Sequence, residues 1–355
     1  MNLKSVTLLG VVAALCVAGT WAALRTAPQG IAADRRGEPV FPQLINQANT
    51  VAAITIRDND KPFTVERRDN GFFDKASGYP AKPEAFRDIV AGMISLAYEE
   101  SKTSDPQRYA DLGLADAGQA EKTGRQVTLT DSKGATLADI IVGNRDMTVG
   151  GARGGTFVRF PKEPQTWLVR GEVRVPVPNT AWFEINLLNL NKDALAKLEL
   201  RGGGLDDVTL VSATKGADLT LQAPPAGREA EAGKLMRLSF MVDPISFQDV
   251  RKPAGEVKAG GRTLTAYGHN GLKLTVTSVG DLADGWVRIA AEGTNEESNK
   301  QAETLKPKID GFEFKLSKND SDMLAWGLKD FTQETKPEAK TDPAPQPNSE
   351  AKPNQ

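Results

Sequence analysis

The chain has 355 residues, 39% of them apolar and 25% charged, the composition of a globular protein large enough for two domains. Its 44 basic and 46 acidic residues are interspersed and leave a net charge of −2, so there is no basic stripe for a phosphate backbone and no nucleic acid is expected as a partner. A single cysteine, Cys16, and a single histidine, His269, exclude an intrachain disulfide framework, Cys/His zinc sites and Cys–His catalysis, and any Ser–His pair would have to use His269.

In chain order, the first feature is VTLLGVVAALCVAGTWAAL, Val6 to Leu24, 19 residues without a charge. As a helix rising about 1.5 Å per residue it is roughly 29 Å long, the thickness of one hydrocarbon core. It is read as an uncleaved membrane anchor whose apolar body is Val6, Leu8, Leu9, Val11, Val12, Leu15, Val17 and Leu24, with Trp21 suited to the interface. A cleaved signal peptide is the rival reading, but its apolar region is usually only about 7 to 15 residues and Thr20-Trp21-Ala22 is a mediocre small-x-small site. Flanking charge does not set the orientation: Lys4 stands on one side, and Arg25, Arg35 and Arg36 on the other. The signal-like length and position place a single pass in the inner membrane and the C-terminal bulk in the periplasm.

The body that follows reads as two copies of one unit. In the first, VAAITIRD and FTVERRDNGFF have the alternation and the Asn-Gly turn of antiparallel strands. PEAFRDIVAGMISLAYEE then changes period. Phe86, Ile89, Val90, Met93, Ile94 and Ala97 form one apolar stripe, and Pro83 suits the first helical turn. Strands RQVTLTD, ATLADIIVG, GTFVRF and TWLVR follow, separated by glycine-containing turns. The second copy has LAKLELRG and DVTLVS, a shorter helix in GKLMRLSFMV, and hairpins in RTLTAYGHNGLKLTVTSV and GWVRIAAE. GFEFKLS and a terminal helix carrying Leu324, Leu328 and Phe331 close it. The predicted fold is α+β: two repeated units of antiparallel sheet with one packed helix each, after a transmembrane helix.

The expected organisation is an anchor (or signal peptide) and linker over residues 1–37, a first β-rich unit over 38–178, a second with the C-terminal helix over 179–332, and a disordered polar tail over 333–355. The division falls near VRVPVPNTAWFE, where Pro176 and Pro178 force extended backbone. From Gln333 the tail contains no aromatic or large aliphatic residue to offset the entropy of ordering.

Between the first helix and the next strands lies DPQRYADLGL. Asp105 and Pro106 begin a short turn and Gly113 ends it in a left-handed conformation, so Tyr109, Leu112 and Leu114 are expected to face the sheet. Capping by Asp105 and packing by the apolar side chains account for the stretch, and the motif Tyr109, Leu112, Gly113, Leu114 is read as structural.

The remaining polar features have modest readings. VGGARGG, Val149 to Gly155, lacks the Lys-Ser/Thr and following helix of a phosphate loop and is read as a hairpin end. His269 precedes the Asn270-Gly271 turn and is read as exposed. Asp281 and Asp284 have no calcium-loop ligands after them. Glu99 and Glu100, like Asp206 and Asp207, are adjacent residues whose side chains diverge; they are read as solvated rather than as acid/base pairs.

The Tyr-x-x-Leu-Gly-Leu phrase, VFPQLINQANTVAAITI, VTLTDSKGATLADIIVGN, TFVRF with TWLV, and WFEINLLNLNKDALAKLEL together resemble the domain-of-unknown-function 4340 family, well over about residues 40 to 200 and loosely beyond. The resemblance implies an envelope component with one N-terminal membrane anchor, associated with a gliding-motility-type ABC transport system. It carries no catalytic residue over to this chain. The expected function is a non-enzymatic, membrane-tethered extracytoplasmic accessory protein that docks on an ABC-type transporter or another envelope complex. Membrane and envelope proteins are its partners, and no cofactor, metal or small-molecule substrate is inferred. The alternative is a carboxylate-dependent envelope hydrolase acting on glycan, which requires two acids brought together from distant parts of the chain.

Overall fold

The computed structural model describes residues 35–335 apart from 59–61, 117–123, 150–153, 178, 189, 192 and 255–259. The Val6–Leu24 run, Pro178, residues 150–153 of the glycine-rich stretch and residues 336–355 therefore lie outside the described residues. Among the described residues no helix is long and apolar enough to cross a membrane. The fold is mostly antiparallel sheet with a few helices, and the chain divides into two units. The first runs to Ile185 and includes Asp249–Lys252; the second takes Asn186–Gln248 and the chain from Pro253.

In the first unit a short helix, α1 (Leu44–Gln47), precedes β1 (Val51–Arg57), β2 (Pro62–Arg68), β3 (Gly71–Asp74) and β4 (Pro80–Ala81). After α2 (Pro83–Ile94) come β5 (Ala97–Ser101), β6 (Arg125–Asp131), β7 (Thr136–Asp146), β8 (Gly155–Arg159) and β9 (Thr166–Arg170). They form one sheet in the order β4-β3-β2-β1-β6-β7-β8-β9-β5. Its register puts Ile54 opposite Val65 on one side and Leu129 on the other, all fully buried. This is the inward face that the alternating pattern demands. Pro83 opens α2, and Phe86, Ile89, Val90 and Met93 are buried along it; Phe86 stacks on Phe72 of β3 at 4.3 Å.

The predicted helix is too long. It ends at Ile94, and AYEES is β5, an outer strand paired to β9 with Ala97 opposite Arg170. Ala97 continues the apolar stripe by spacing alone; ladder hydrogen bonds and burial of Tyr98 outweigh that local signal. Residues 37–40 run along the other side of β5. The Gly37 amide donates to the Tyr98 carbonyl (2.8 Å), Tyr98 to Glu38 (2.9 Å) and Val40 to Leu96 (2.9 Å).

In the second unit β10 (Asn186–Leu188), β11 (Leu195–Arg201), β12 (Val208–Ser212), β13 (Leu219–Leu221) and β14 (Arg228–Ala230) precede α3 (Ala232–Phe240) and β15 (Ile245–Ser246). The strand β16 (Asp249–Arg251) is grouped with the first unit. Then come β17 (Thr263–Gly268), β18 (Leu272–Ser278), β19 (Trp286–Gly293), α4 (Glu296–Ile309), β20 (Glu313–Lys315), α5 (Lys318–Leu324) and β21 (Thr332–Glu334). The second unit's strands run β13-β12-β11-β17-β18-β19-β20. Leu198 stands between Leu210 and Ala266, again all buried.

Three expectations for this unit are corrected. A single packed helix does not describe it: α4, which begins in a capping box of Asn295 and Ser298, lies on β19. It sits so close that a Cβ on Gly293 would meet the Asn299 nitrogen at 2.2 Å. The terminal helix is broken into α5 and a 3-10 turn, Leu328–Phe331, by extended backbone at Gly327. Gln333 and Glu334, assigned to the tail, belong to β21 and pair with Glu229 and Arg228. Backbone pairing orders these polar residues without side-chain burial, because Arg228 donates to the Thr332 hydroxyl (2.7 Å) and carbonyl (2.5 Å) beside them.

Candidate functional site

The Tyr109 motif is assembled as a backbone lock within the first unit. Asp105 accepts from the Gln107 amide at 3.0 Å, and Gly113 takes φ +67°, the left-handed value read from the sequence. Tyr109 and Leu114 are buried with Ile141 of β7, and half-buried Leu112 packs against them. The Tyr109 hydroxyl donates to the Pro164 carbonyl at 2.7 Å, and the Arg159 guanidinium lies 4.6 Å from its ring centre while pairing with Asp116. Gly143 on β7 lets the turn approach, since a Cβ there would meet the Leu112 carbonyl oxygen at 2.4 Å and that of Gly113 at 2.9 Å. Burial holds the Tyr109 phenol above its ordinary pKa, with Arg159 opposing. These contacts, packing, hydrogen bonds and the Arg159–Asp116 pair, hold the turn against β7.

The other sequence-identified residues are scattered. His269 is exposed and its amide donates to the Ala194 carbonyl (2.8 Å). Asp281 caps a 3-10 turn by accepting from Ala283 (3.0 Å), and Asp284 lies in that turn. Val149 and Gly155 flank the β7–β8 hairpin end, where Asp146 pairs with Gly155. Asp206 and Asp207 are exposed. Glu99 is a correction: its side chain is only 7% exposed, held between Arg36 and Arg170, whereas Glu100 is in solvent with Lys102. Two guanidiniums compensate the desolvation of a carboxylate that the sequence reading leaves solvated at the end of the predicted helix. Its neighbour points the other way, so no acid pair forms.

A concave site lies elsewhere, in the second unit, and the sequence reading missed it. The helix α3 has two apolar faces. Leu235 and Leu238 point into the core, whereas Met236 and Phe240, one turn apart, are 56% and 58% exposed. Beside the exposed pair, between α3 and β13, is a cavity of about 340 Å³ floored by Leu190, Leu195 and Leu219. Its polar members are few. The Ser239 hydroxyl donates back to the Met236 carbonyl at 2.7 Å. Asp218, immediately before β13, and Asp243, just after α3, supply carboxylates to the wall. The strand β13 is the last in its sheet among the described residues. The available signal was GKLMRLSFMV itself, which carries more apolar positions than one buried helical face can use.

A family model described as a domain of unknown function, DUF4340, matches residues 72–261. The match covers 190 of the 355 residues, from β3 to the segment just before β17, beginning later and reaching further than the motifs suggested. Comparison with curated proteins and with solved structures finds no match.

Proposed function

The chain belongs to the DUF4340 family, and from that premise we propose that it is a non-enzymatic accessory protein that works by docking. In this reading Val6–Leu24 is a single-pass anchor in the inner membrane, the body lies in the periplasm, and the partner is an ABC-type transport system or another envelope complex in the same membrane. A tether raises the effective concentration of such a partner, so a modest contact suffices. The observation that carries the reading is the Met236–Phe240 pair, two large apolar side chains more than half exposed at the mouth of an apolar cavity, because exposed apolar patches of this kind mark interaction sites. We further propose that the body is a duplication. In both sheets the first strand lies centrally, β1 between β2 and β6 and β11 between β12 and β17, with a helix following the first meander.

The glycan-hydrolase alternative could act here, since Asp218 and Asp243 share the cavity. Its leucine, methionine and phenylalanine lining disfavours it: among the described residues only Asp218, Ser239 and Asp243 offer polar side chains, and each sugar hydroxyl left without a partner costs about 1–3 kcal/mol. The test is affinity purification of the full-length chain from detergent-solubilised membranes, with partners identified by mass. Retention in the membrane after a carbonate wash and recovery of transporter or envelope subunits are expected. Release as a shortened soluble product, or glycan cleavage abolished by Asp243→Asn, would overturn the reading.

A further inference from the structure

We propose that the Asn70–Gly71 bond is a site of spontaneous covalent modification, at which the asparagine converts to a mixture of aspartate and isoaspartate, and that Asn270–Gly271 is held against the same reaction. The chain contains these two Asn-Gly pairs, and both stand at hairpin ends in antiparallel sheet. Glycine hinders the reaction least, because it has no side chain to crowd its own amide nitrogen. That nitrogen attacks Cγ of the asparagine, the carboxamide nitrogen departs as ammonia with the glycine amide proton, and a five-membered succinimide closes. Water then opens the ring at one of its two carbonyls. Attack at Cγ leaves aspartate, whereas attack at the α-carbonyl leaves isoaspartate, with the main chain running through the side chain and one atom longer. The sum is amide and water to acid and ammonia, with no change of oxidation state.

The two sites differ in what restrains the carboxamide. Asn70 is exposed in the Asp69-Asn70 loop between β2 and β3, and its side chain has no hydrogen-bond partner among the described residues. Gly71 has φ +152°, and a Cβ built on it would meet nothing nearer than the Phe73 ring at 3.5 Å, so there is room for the attack. Its rung with Arg68 is the outermost of the hairpin, where a ladder opens first. At Asn270, by contrast, Nδ2 donates to Oε1 of Gln301 on α4 (2.9 Å) and Oδ1 accepts from the Leu272 amide (3.1 Å). Asn295, the cap of α4, donates to the Asn270 carbonyl (2.7 Å), and the Thr294 amide to that of Gly271 (3.0 Å). This carboxamide reaches the glycine nitrogen only after its bonds to Gln301 and Leu272 break. The consequence of conversion falls on the first unit. An extra main-chain atom at position 70 disturbs the register that sets Arg68 opposite Gly71 and holds Phe72 4.3 Å from Phe86 of α2.

The experiment ages the full-length chain in detergent at mildly alkaline pH and follows both Asn-Gly peptides by mass. Methyl transfer from S-adenosylmethionine by an isoaspartate methyltransferase reports the isoaspartyl product. Conversion at Asn70 should be at least about tenfold faster than at Asn270, because the second carboxamide must first break two hydrogen bonds. In urea, where the fold no longer distinguishes the sites, the two rates should converge. Gln301→Ala should quicken conversion at Asn270 and leave Asn70 unchanged, and Asn70→Ser should remove the methyl acceptor. The isoaspartyl fraction should unfold at a lower denaturant concentration than fresh protein. Asn70→Asp, measured before ageing, adds the charge without the extra atom and should keep the wild-type midpoint. Equal rates in the folded chain, a difference that survives in urea, or indifference of Asn270 to Gln301→Ala refutes the proposal. So does an isoaspartyl chain as stable as the fresh one, or an Asn70→Asp chain as unstable as the isoaspartyl one.

Discussion

Arg262 donates from Nε to the carbonyl oxygen of Leu324 at 3.0 Å, although no part of Arg262 reaches solvent. The same guanidinium reaches the carbonyls of Gly202 (3.0 Å), Asp206 (3.2 Å) and Trp326 (2.6 Å). One planar fork thus ties the loop after β11 to the end of α5 within the second unit. Burial lowers the Arg262 pKa, with Asp207 and Asp206 opposing, and the acceptors are neutral, so this is a scaffold rather than an ion pair. Arg262→Met leaves four carbonyl acceptors without their donor, that of Leu324 fully buried, and should cost about 3–5 kcal/mol in urea denaturation. Arg262→Lys should cost about half as much, because one ammonium cannot span the fork. An Arg262→Met protein as stable as wild type would contradict this account.

The Tyr109 lock separates into two contributions. Tyr109→Phe removes only the bond to Pro164 and should destabilise by about 0.5–1.5 kcal/mol. Gly143→Ala drives a methyl into the Leu112 carbonyl and should cost about 1–3 kcal/mol or more. Equal stability of the Gly143→Ala protein and wild type would show that the turn does not rest on β7 as closely as described.

Alkaline pH should unfold the first unit. Burial raises the phenol pKa of Tyr79, Tyr98 and Tyr109 above the ordinary 10.0, with Glu184 adding to the effect at Tyr79. Below about pH 10 the phenols are protonated in both states and their contribution is fully present. Above it the unfolded chain ionises first, so stability falls until the folded pKa values are passed. Phenolate absorbance and denaturant midpoints measured from pH 8 to 12 should show delayed ionisation together with falling stability, and Tyr79→Phe should lessen the fall. Phenols that titrate near 10 at constant stability would contradict it.

Much of this fold is legible in the sequence, and the exceptions have physical causes. RQVTLTD and TWLVR coincide with β6 and β9 residue for residue: β6 alternates between Gly124 and Gly134, whereas β9 is a short run of strand-forming residues bounded by Pro164 and Gly171 and buried from Thr166 to Val169. The helix α4 escapes notice because Ala302, Leu305 and Ile309 are its only buried apolar residues and Pro307 interrupts the pattern, although the Asn295–Ser298 cap was there to be read. Glu99 escapes because its partners, Arg36 and Arg170, lie 63 and 71 residues away. The Met236–Phe240 surface escapes for a different reason. Periodicity can tell that α3 has two apolar faces, but only the packed sheet decides which one is buried.

The boundary of the C-terminal tail can be tested by truncation. A chain ending at Thr335 keeps β21 and should unfold at the wild-type denaturant midpoint. A chain ending at Phe331 loses the pairing of Thr332–Glu334 with Arg228–Ala230 and the two Arg228 bonds to Thr332. It should be destabilised by about 2–3 kcal/mol, the sum of a few hydrogen bonds worth about 1 kcal/mol each. Identical midpoints for the two truncations would return Gln333 and Glu334 to the tail.

Gly37–Val40 also shield the flank of β5 from other molecules. They occupy backbone groups on the side where the nine-stranded sheet would otherwise stop, and Arg36 fastens the segment through Glu99. Strip them away and β5 becomes a template for a neighbouring chain, which can feed fibre growth. A shortened recombinant body that begins beyond Val40 should therefore form polymers even though its core is intact, whereas one that begins at Arg35 should stay monodisperse.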